Sequence, residues 1–543
     1  MKIQYRLVTA LIMASLLLMP AGLMAASQEL AEKQEFRWGM HAKDINTLDP
    51  AFMTNTPTTT PGILIYNGLV RTPPGTVDLE NIEGDLAESW EISNGGKTYT
   101  FKLRKGVQWH KGWGEFTAED VKYTYDRLND PKVGSPHRGT YNIIDQIKII
   151  DPYTVQFDLK VPNAFFLHNQ VLNYRSGNIV CKKFVEKQTG GAKMGVTAVG
   201  TGPFQFERYL SKEKIVLVRN DNYFRGKPII ERVEMFFMPK LAARTMAFVK
   251  GELDAMEGGR DTKWIKQVKK NPGIVIETIG LGSPTALYFN MSRKPLDDIR
   301  VRKALAMTMD RNALKQYFGD LWQEMPAPVP PSYLGTLPKD KIPEDCLYQP
   351  DLKKAKQLLA EAGYPNGFKL TAYSSTKRHY LANYEIAKEL WKQLGVDLDV
   401  KVVDHVTFHA NVRKDMNDVV FFLGPRPPVA DTYLTQWYHS KAIVGTPTAI
   451  TNFSHYGALD ADGDGKIDNI DAIIDKARAE IDPVKQKALY HQAQLKIMKD
   501  VPAMGLHELT KVLCRRDYFD PGVPIKASMY STYPLEKAKI LKH

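Results

Sequence analysis

Between Asp460 and Asp471 the chain sets aspartates at 460, 462, 464, 468 and 471, with Gly465 and Lys466 among them. Calcium is a hard cation that gathers several oxygens, and this spacing supplies carboxylates at positions 1, 3, 5, 9 and 12 of a calcium loop. Gly465 makes the sharp turn, the carbonyl of Lys466 can coordinate at position 7, and Ile467 can pack inward. The twelfth residue, Asp471, has a shorter arm than the usual Glu, which predicts weaker binding. A helix from Asp471 to about Ile481 follows the loop and no clear helix precedes it, so a lone structural staple is expected rather than a sensor pair. The bland alternative is an acidic, solvated surface turn.

Other chemistries find little support. Gly95-Gly96-Lys97-Thr98 looks like the end of a phosphate loop, but the glycine required five positions before Gly96 is Glu91, so the segment reads as a hairpin turn. His507-Glu508 lacks a second histidine for a zinc protease motif, and no Gly-x-Ser-x-Gly nucleophile elbow is present. Cys181, Cys346 and Cys514 are odd in number and far apart, which leaves room for one bridge but implies no disulfide framework or cysteine metal site. No nucleophile, base and orienting group stand at a recognisable spacing. The chain is not expected to be an enzyme.

The elements that position these residues require several lobes. A chain of 543 residues with 43% hydrophobic content exceeds one ordinary domain and can bury sizeable cores. Lys2 and Arg6 precede an apolar run from Leu7 to Met19, then Pro20 and small residues, the pattern of a cleaved secretory signal over residues 1–25. The run is too short for a membrane span, and Ala26, Ser27 and Gln28 offer no cysteine for lipid attachment. The formal net charge of +12 raises nucleic acid as a partner, but Lys and Arg are interleaved with acids instead of clustered with aromatics, so no nucleic-acid binding is expected.

Trp90 to Ile92 and Tyr99 to Leu103 alternate apolar and polar residues around Asn94-Gly95-Gly96, which predicts a β-hairpin. Thr117 and Asp120 form an approximate capping box for a helix to about Leu128. Phe36 to Met40 reads as a strand, and a Thr- and Pro-rich connection runs through Pro61. Ile147 to Ile150 and Tyr153 to Leu159 read as a second hairpin. Leu296 to Asp310 reads as an amphipathic helix with Arg300 and Arg302 as solvated charges. Leu352 to Ala362 and Tyr384 to Leu394 read as helices alternating with strands at Phe368 to Tyr373 and Asp397 to Val403, an α/β pattern, and Val484 to Lys499 as a late helix.

The wording Gly84-Asp85-Leu86-Ala87-Glu88-Ser89-Trp90, Tyr99-Thr100-Phe101-Lys102-Leu103-Arg104 and Phe116-Thr117-Ala118-Glu119-Asp120-Val121 resembles the large extracytoplasmic solute-binding proteins of ABC importers, the oligopeptide-, dipeptide- and nickel-binding family 5. Tyr66-Asn67-Gly68-Leu69-Val70, Gly200-Thr201-Gly202-Pro203 and Gly251-Glu252-Leu253-Asp254 continue the resemblance in order across nearly all of the mature chain. It implies an α/β, type II periplasmic-binding-protein-like fold: two lobes with a hinge plus an additional third domain. The implied segments are 26–62, 200–284 and 510–543 for lobe I, 63–199 for the second lobe, and 285–509 for lobe III with the loop at 460–471.

The implied function is periplasmic capture, by lobe closure, of a peptide or another small solute. The partners would be that ligand and an ABC permease in the cytoplasmic membrane, and the protein a monomer. No cofactor is required, and a structural Ca2+ would sit on the acidic loop. Peptide-binding relatives place an aspartate ahead of a Phe-Leu or Tyr-Leu pair to hold the ligand's amine. Anchored on Tyr433-Leu434, that position falls on Arg426, which would favour an anion; a slip in the Pro-rich loop would bring Asp431 into the role instead. Tyr433 and Trp437 would flank the ligand or serve as core, and Tyr174 and Arg175 would contribute from the second lobe. The rival readings are a secreted hydrolase and a calcium-dependent assembly protein on a similar scaffold.

Overall fold

The computed structural model describes residues 29–543 apart from 173, 425, 426, 446–450 and 469; the secretory signal and Arg426 lie outside the described residues. Lobe I is built on a nine-stranded mixed sheet. Its first strand, Glu35–Met40, alternates exposed and buried side chains before becoming wholly buried, and runs parallel to both Arg232–Phe237 and Ala255–Glu257. The antiparallel strands Lys214–Arg219 and Phe204–Leu210 complete one side. The second lobe carries a four-stranded antiparallel sheet of Ala87–Ser93, Thr98–Leu103, Thr154–Leu159 and Ile144–Asp151. Its helix, Ala118–Asn129, opens on the expected box, Thr117 accepting from the backbone and Asp120 reaching back to the N–H of Thr117.

Two long antiparallel strands, Ile274–Phe289 and Ala503–Arg516, carry the same sheet into lobe III. The expected segment boundaries at 284/285 and 509/510 fall inside them. Their register shifts between Ile279 and Ser283, where Gly282 lies so close that a Cβ would stand 1.7 Å from the Leu509 carbonyl oxygen. Only glycine fits there, and the irregular pairing lies where the continuous sheet passes from lobe I to lobe III, the place where a hinge between them is expected. Beyond it, Val419–Leu423 pairs with the first hinge strand, and Lys369–Ser375 runs parallel to Asp397–Val403. Among the described residues, no helix is long and apolar enough to cross a membrane.

Three readings of the sequence change. The Thr- and Pro-rich stretch expected as a connection is the helix Thr56–Ile65: Asn55 accepts from Thr58 N, Pro57 suits the first turn, and the Thr58, Thr59 and Thr60 hydroxyls bond back to carbonyls. Arg302, expected in solvent beside Arg300, is fully buried. Its guanidinium donates to the carbonyls of Leu296, Asp297, Ala461, Asp500 and Val501, so it ties the acidic loop to the helix Ile299–Thr308; burial lowers its pKa to about 10. The three cysteines are all buried and free, without the single bridge the sequence left open.

Candidate functional site

In open α/β sheets, ligands collect beyond the carboxyl ends of parallel strands. Here such ends from two lobes face one another. From lobe I, Glu35–Met40 delivers His41, and Ala255–Glu257 runs through Gly258 and Gly259 to Arg260; a Cβ at Gly259 would stand 2.5 Å from the Leu241 side chain. From lobe III, Lys369–Ser375 delivers Lys377 and His379, and Asp397–Val403 delivers His405 at the start of the helix His405–Arg413. The hinge strand Ala503–Arg516 passes between them with His507, Glu508 and Lys511.

The groups sense one another across the gap. Burial lowers the pKa of Arg260. Burial, then Arg260, pulls Lys511 down to about 7. Burial, then Arg260 and Lys377, holds His379 at about 3, and burial chiefly holds His507 at about 3. Loss of water disfavours the charged form of each base. Arg260, Lys511 and His379 nevertheless keep partial contact with solvent, so they line an interior cleft instead of a close-packed core.

The cations there feel Glu257 and Glu508 at longer range but pair with neither. Arg260 Nη1 donates to Ser283 Oγ at 2.8 Å, and Lys511 Nζ donates to the carbonyls of Ser528 at 2.8 Å and Tyr530 at 3.3 Å. Arg175 packs over its neighbour Tyr174, its Nε is buried without a hydrogen-bond partner, and its φ of 50° is unusual for a non-glycine residue. Tyr174 meets Tyr530 with ring centroids 5.7 Å apart, and Arg175 is felt by both Tyr530 and Lys511. Among the described residues no carboxylate stands within ion-pair distance of Arg175, Arg260 or Lys511. Glu508 faces the same region but is occupied, accepting from Gly282 N at 2.7 Å and Ser332 Oγ at 3.0 Å, and burial raises its pKa.

The expected site residues distribute unevenly. Tyr174 and Arg175 lie in this cleft. Asp431 lies in the first turn of the helix Ala430–Tyr438, where Arg478 Nε donates to it at 2.8 Å and the Tyr490 hydroxyl approaches at 3.3 Å. Burial raises its pKa against the pull of Arg478. Tyr433 and Trp437, each 1% exposed, sit in an aromatic core with Tyr288, Tyr333, Phe422 and Phe453. Trp437 also packs beneath Gly424, where a Cβ would come within 2.7 Å of its ring.

Of the acidic loop, the structure gathers Asp460, Asp462 and Asp464 within 4.8 Å. Asp468 is turned to Lys496 and to Ala461 N, and Asp471 to Ser440, while the backbone N–H of Lys466 donates to Asp464. The sequence reading missed Arg260, Lys377, His379, His405, His409, Glu508 and Lys511. Gly258-Gly259-Arg260 after a short strand and the i, i+4 pair His405 and His409 were visible signals.

The sequence profile of bacterial extracellular solute-binding proteins, family 5, matches residues 81–444. The chain belongs to that family. It is 28% identical over 470 residues to the dipeptide-binding protein of Escherichia coli strain K12, covering 81% of this chain and 83% of the relative. Among solved structures it is similar to the binding protein MoaA of A. tumefaciens R10 in complex with mannopinic acid, at 34% identity and TM-score 0.77, covering 94% of this chain and all of that one. It is also similar to Helicobacter pylori DppA in complex with the peptide STSA, at 28% identity and TM-score 0.74, covering 94% and 98%. The fold is that of a type II periplasmic binding protein, and the function is that of a solute-binding protein of an ABC transporter.

Proposed function

We propose that the chain captures a small carboxylate-bearing anion in the cleft between the lobes, outside the cytoplasm, and delivers it as a monomer to its membrane permease. One observation carries this reading: Arg175, Arg260 and Lys511 converge with no carboxylate at ion-pair distance among the described residues, Glu257 and Glu508 reaching Arg260 and Lys511 only at longer range. Buried charges are costly unless paired, so a site that leaves three cations unmatched is completed by an anion. The mannopinic acid bound to the similar MoaA agrees in being an acid by name. A peptide amine is less well served, since Asp431 already holds Arg478. The hinge at Ile279 to Ser283 lets closure bury the solute, and binding energy then favours the closed state.

The test is calorimetric titration of protein refolded from denaturant, which strips any retained solute, against carboxylated metabolites, opines, sugars and free-amine peptides. Tight binding confined to an acidic class supports the proposal; binding confined to neutral sugars or to peptides with blocked carboxylates overturns it. Arg426 remains our expectation for a further anion contact, and Arg426→Ala belongs in the same series.

A further inference from the structure

The second lobe and lobe III also touch away from the cations of the cleft. Phe165, 2% exposed, stands just before the short helix Phe166–Asn169 and sets its ring 5.8 Å from that of Tyr490, on the lobe III helix Pro483–Asp500. At the end of the short helix, Asn169 Oδ1 accepts from Thr432 Oγ1 at 3.3 Å. Ile481, just ahead of the lobe III helix, rests on the hairpin turn of the second lobe: a Cβ at Gly96 would come within 2.5 Å of its side chain. His168 Nε2 is hydrogen-bonded to the carbonyl of Leu79 at 3.0 Å, which ties the loop before the hairpin to the same face.

Among the described residues, no strand pairing joins these two lobes. The second lobe is flanked in the chain by strands of lobe I, Glu35–Met40 before it and Phe204–Leu210 after it. Lobe III is reached through the long strands Ile274–Phe289 and Ala503–Arg516. Their contact therefore depends on the angle between the lobes. It is also incomplete. Between Leu79 and Phe165 on one side and Leu334, Ile481, Val484 and Tyr490 on the other lies a groove of about 870 Å³. A permanent interface packs as densely as a protein interior, so a contact built around such a groove holds weakly and can part. The exposed ion pair of Lys487 with Glu80, at 3.8 Å, adds little.

We propose that this contact is a latch that sets how much of the solute-free protein is closed. Opening about the long strands returns the rings of Phe165 and Tyr490 to water, so their burial favours closure before any solute arrives. The latch adjoins the cleft through one loop: Leu334 and Gly335 line the groove, and Ser332 donates to Glu508 beside the cations. Arg175, Arg260 and Lys511 do not line the groove, so the latch does not select among solutes. It raises the affinity for all of them by one factor, the rise in the closed fraction, and slows their release.

The test uses no solute, so its failure and that of the anion reading are distinguishable. Protein refolded from denaturant is measured by small-angle X-ray scattering and by hydrogen–deuterium exchange. The wild type should scatter as a mixture that includes the form with the two lobes in contact. Phe165→Ser should raise the ratio of open to closed protein about fivefold, with a larger radius of gyration and faster exchange in segments 94–97 and 331–336. Ile481→Asp, at a side chain 52% exposed, should shift the ratio the same way and decides the matter if Phe165→Ser fails to fold. Ile150→Ser, at an exposed apolar residue of the second lobe outside the groove, should leave the ratio as in the wild type. The proposal is overturned if the wild type contains no closed form, if the folded Phe165 and Ile481 variants scatter and exchange as the wild type does, or if Ile150→Ser opens the protein equally.

Discussion

Two regions of this molecule concentrate charge, and they treat it in opposite ways. Beneath the helix Ala430–Tyr438, Asp431 meets Arg478, Arg478 also meets Asp475 at 2.7 Å, and Tyr490 closes the group. In the cleft, the direct contacts of Arg175, Arg260 and Lys511 are hydroxyls, carbonyls and rings, with Glu257 and Glu508 acting on Arg260 and Lys511 only at longer range. A matched group serves the fold, and an unmatched one stores free energy that a ligand can release. The sharpest way to break this comparison is Arg260→Ala. It should weaken the anionic solute about 30- to 100-fold, about 2 to 3 kcal/mol, while leaving the melting temperature unchanged or higher. Calorimetry and a thermal melt on one sample check both halves; a destabilised variant with intact affinity would place Arg260 in the matched class.

Asp431→Ala should behave in the reverse way. Its side chain is 10% exposed and that of Arg478 is 25% exposed, with Asp475 still available, so the loss should be about 2 kcal/mol of stability, less than for a fully enclosed pair. Urea denaturation measures it. Solute affinity should change less than about twofold; a collapse of affinity at normal stability would return the ligand contact to Asp431.

The comparison also explains what the sequence could show. Hairpins, capped helices and the order of family segments depend on neighbours in the chain, and Thr117 with Asp120 or Asn94 with Gly95 announced them directly. The helix Thr56–Ile65 was missed because Pro57 and a run of threonines usually signal a loop, yet Asn55 and the threonine hydroxyls supply the cap. Arg302 was misjudged because its five carbonyl partners come from segments up to 199 residues away. The cleft was hidden for the same reason: Arg260, His379, His405 and Lys511 share no local pattern and meet only because parallel strands from two lobes end beside the long antiparallel strand that carries Lys511. Tyr174 and Arg175 were expected from the closing face of the second lobe that the family implies, and Arg175 is within electrostatic reach of Lys511.

Acidity offers a finer probe of the unmatched region. Burial, then Arg260, lowers Lys511 from its ordinary 10.5 to about 7, and a bound anion must raise it. Below about pH 7 the ammonium is present before and after binding, so affinity is level. Above that, up to the higher pKa of the complex, binding takes up a proton, and affinity should fall with rising pH by up to about tenfold per unit. In the ligand-free protein the sign is opposite for stability, which gains as pH rises from about 7 toward 10.5, because there the unfolded chain holds the proton and the native one does not. Titrations in buffers of different ionisation enthalpy should show the proton uptake, and Lys511→Met should abolish it; an unchanged slope in that variant assigns the proton elsewhere.

The acidic loop stands between the two regimes, and the smallest effect is expected there. Asp460, Asp462 and Asp464 approach one another as a cation site would require, but each already accepts backbone N–H groups. Asp468 is committed to Lys496, whose ammonium also reaches Asp500 at 3.0 Å, and Asp471 is committed to Ser440. We therefore propose that any calcium held here is bound weakly, by three carboxylates with the Lys466 carbonyl and water. Asp460→Ala should lower the melting temperature by about 2 °C in millimolar calcium and leave it unchanged in chelator, since a ligand stabilises only the state that binds it. An equal drop in both would show that Asp460 matters through its hydrogen bonds to Gly463 and Gly465, and would move the loop into the matched class with Asp431. Lys496→Met sharpens the point from the other side: it frees Asp468 and Asp500, which lie with Asp462 close enough to share an ion, to add oxygens to the weak site, so the loop's calcium affinity should rise.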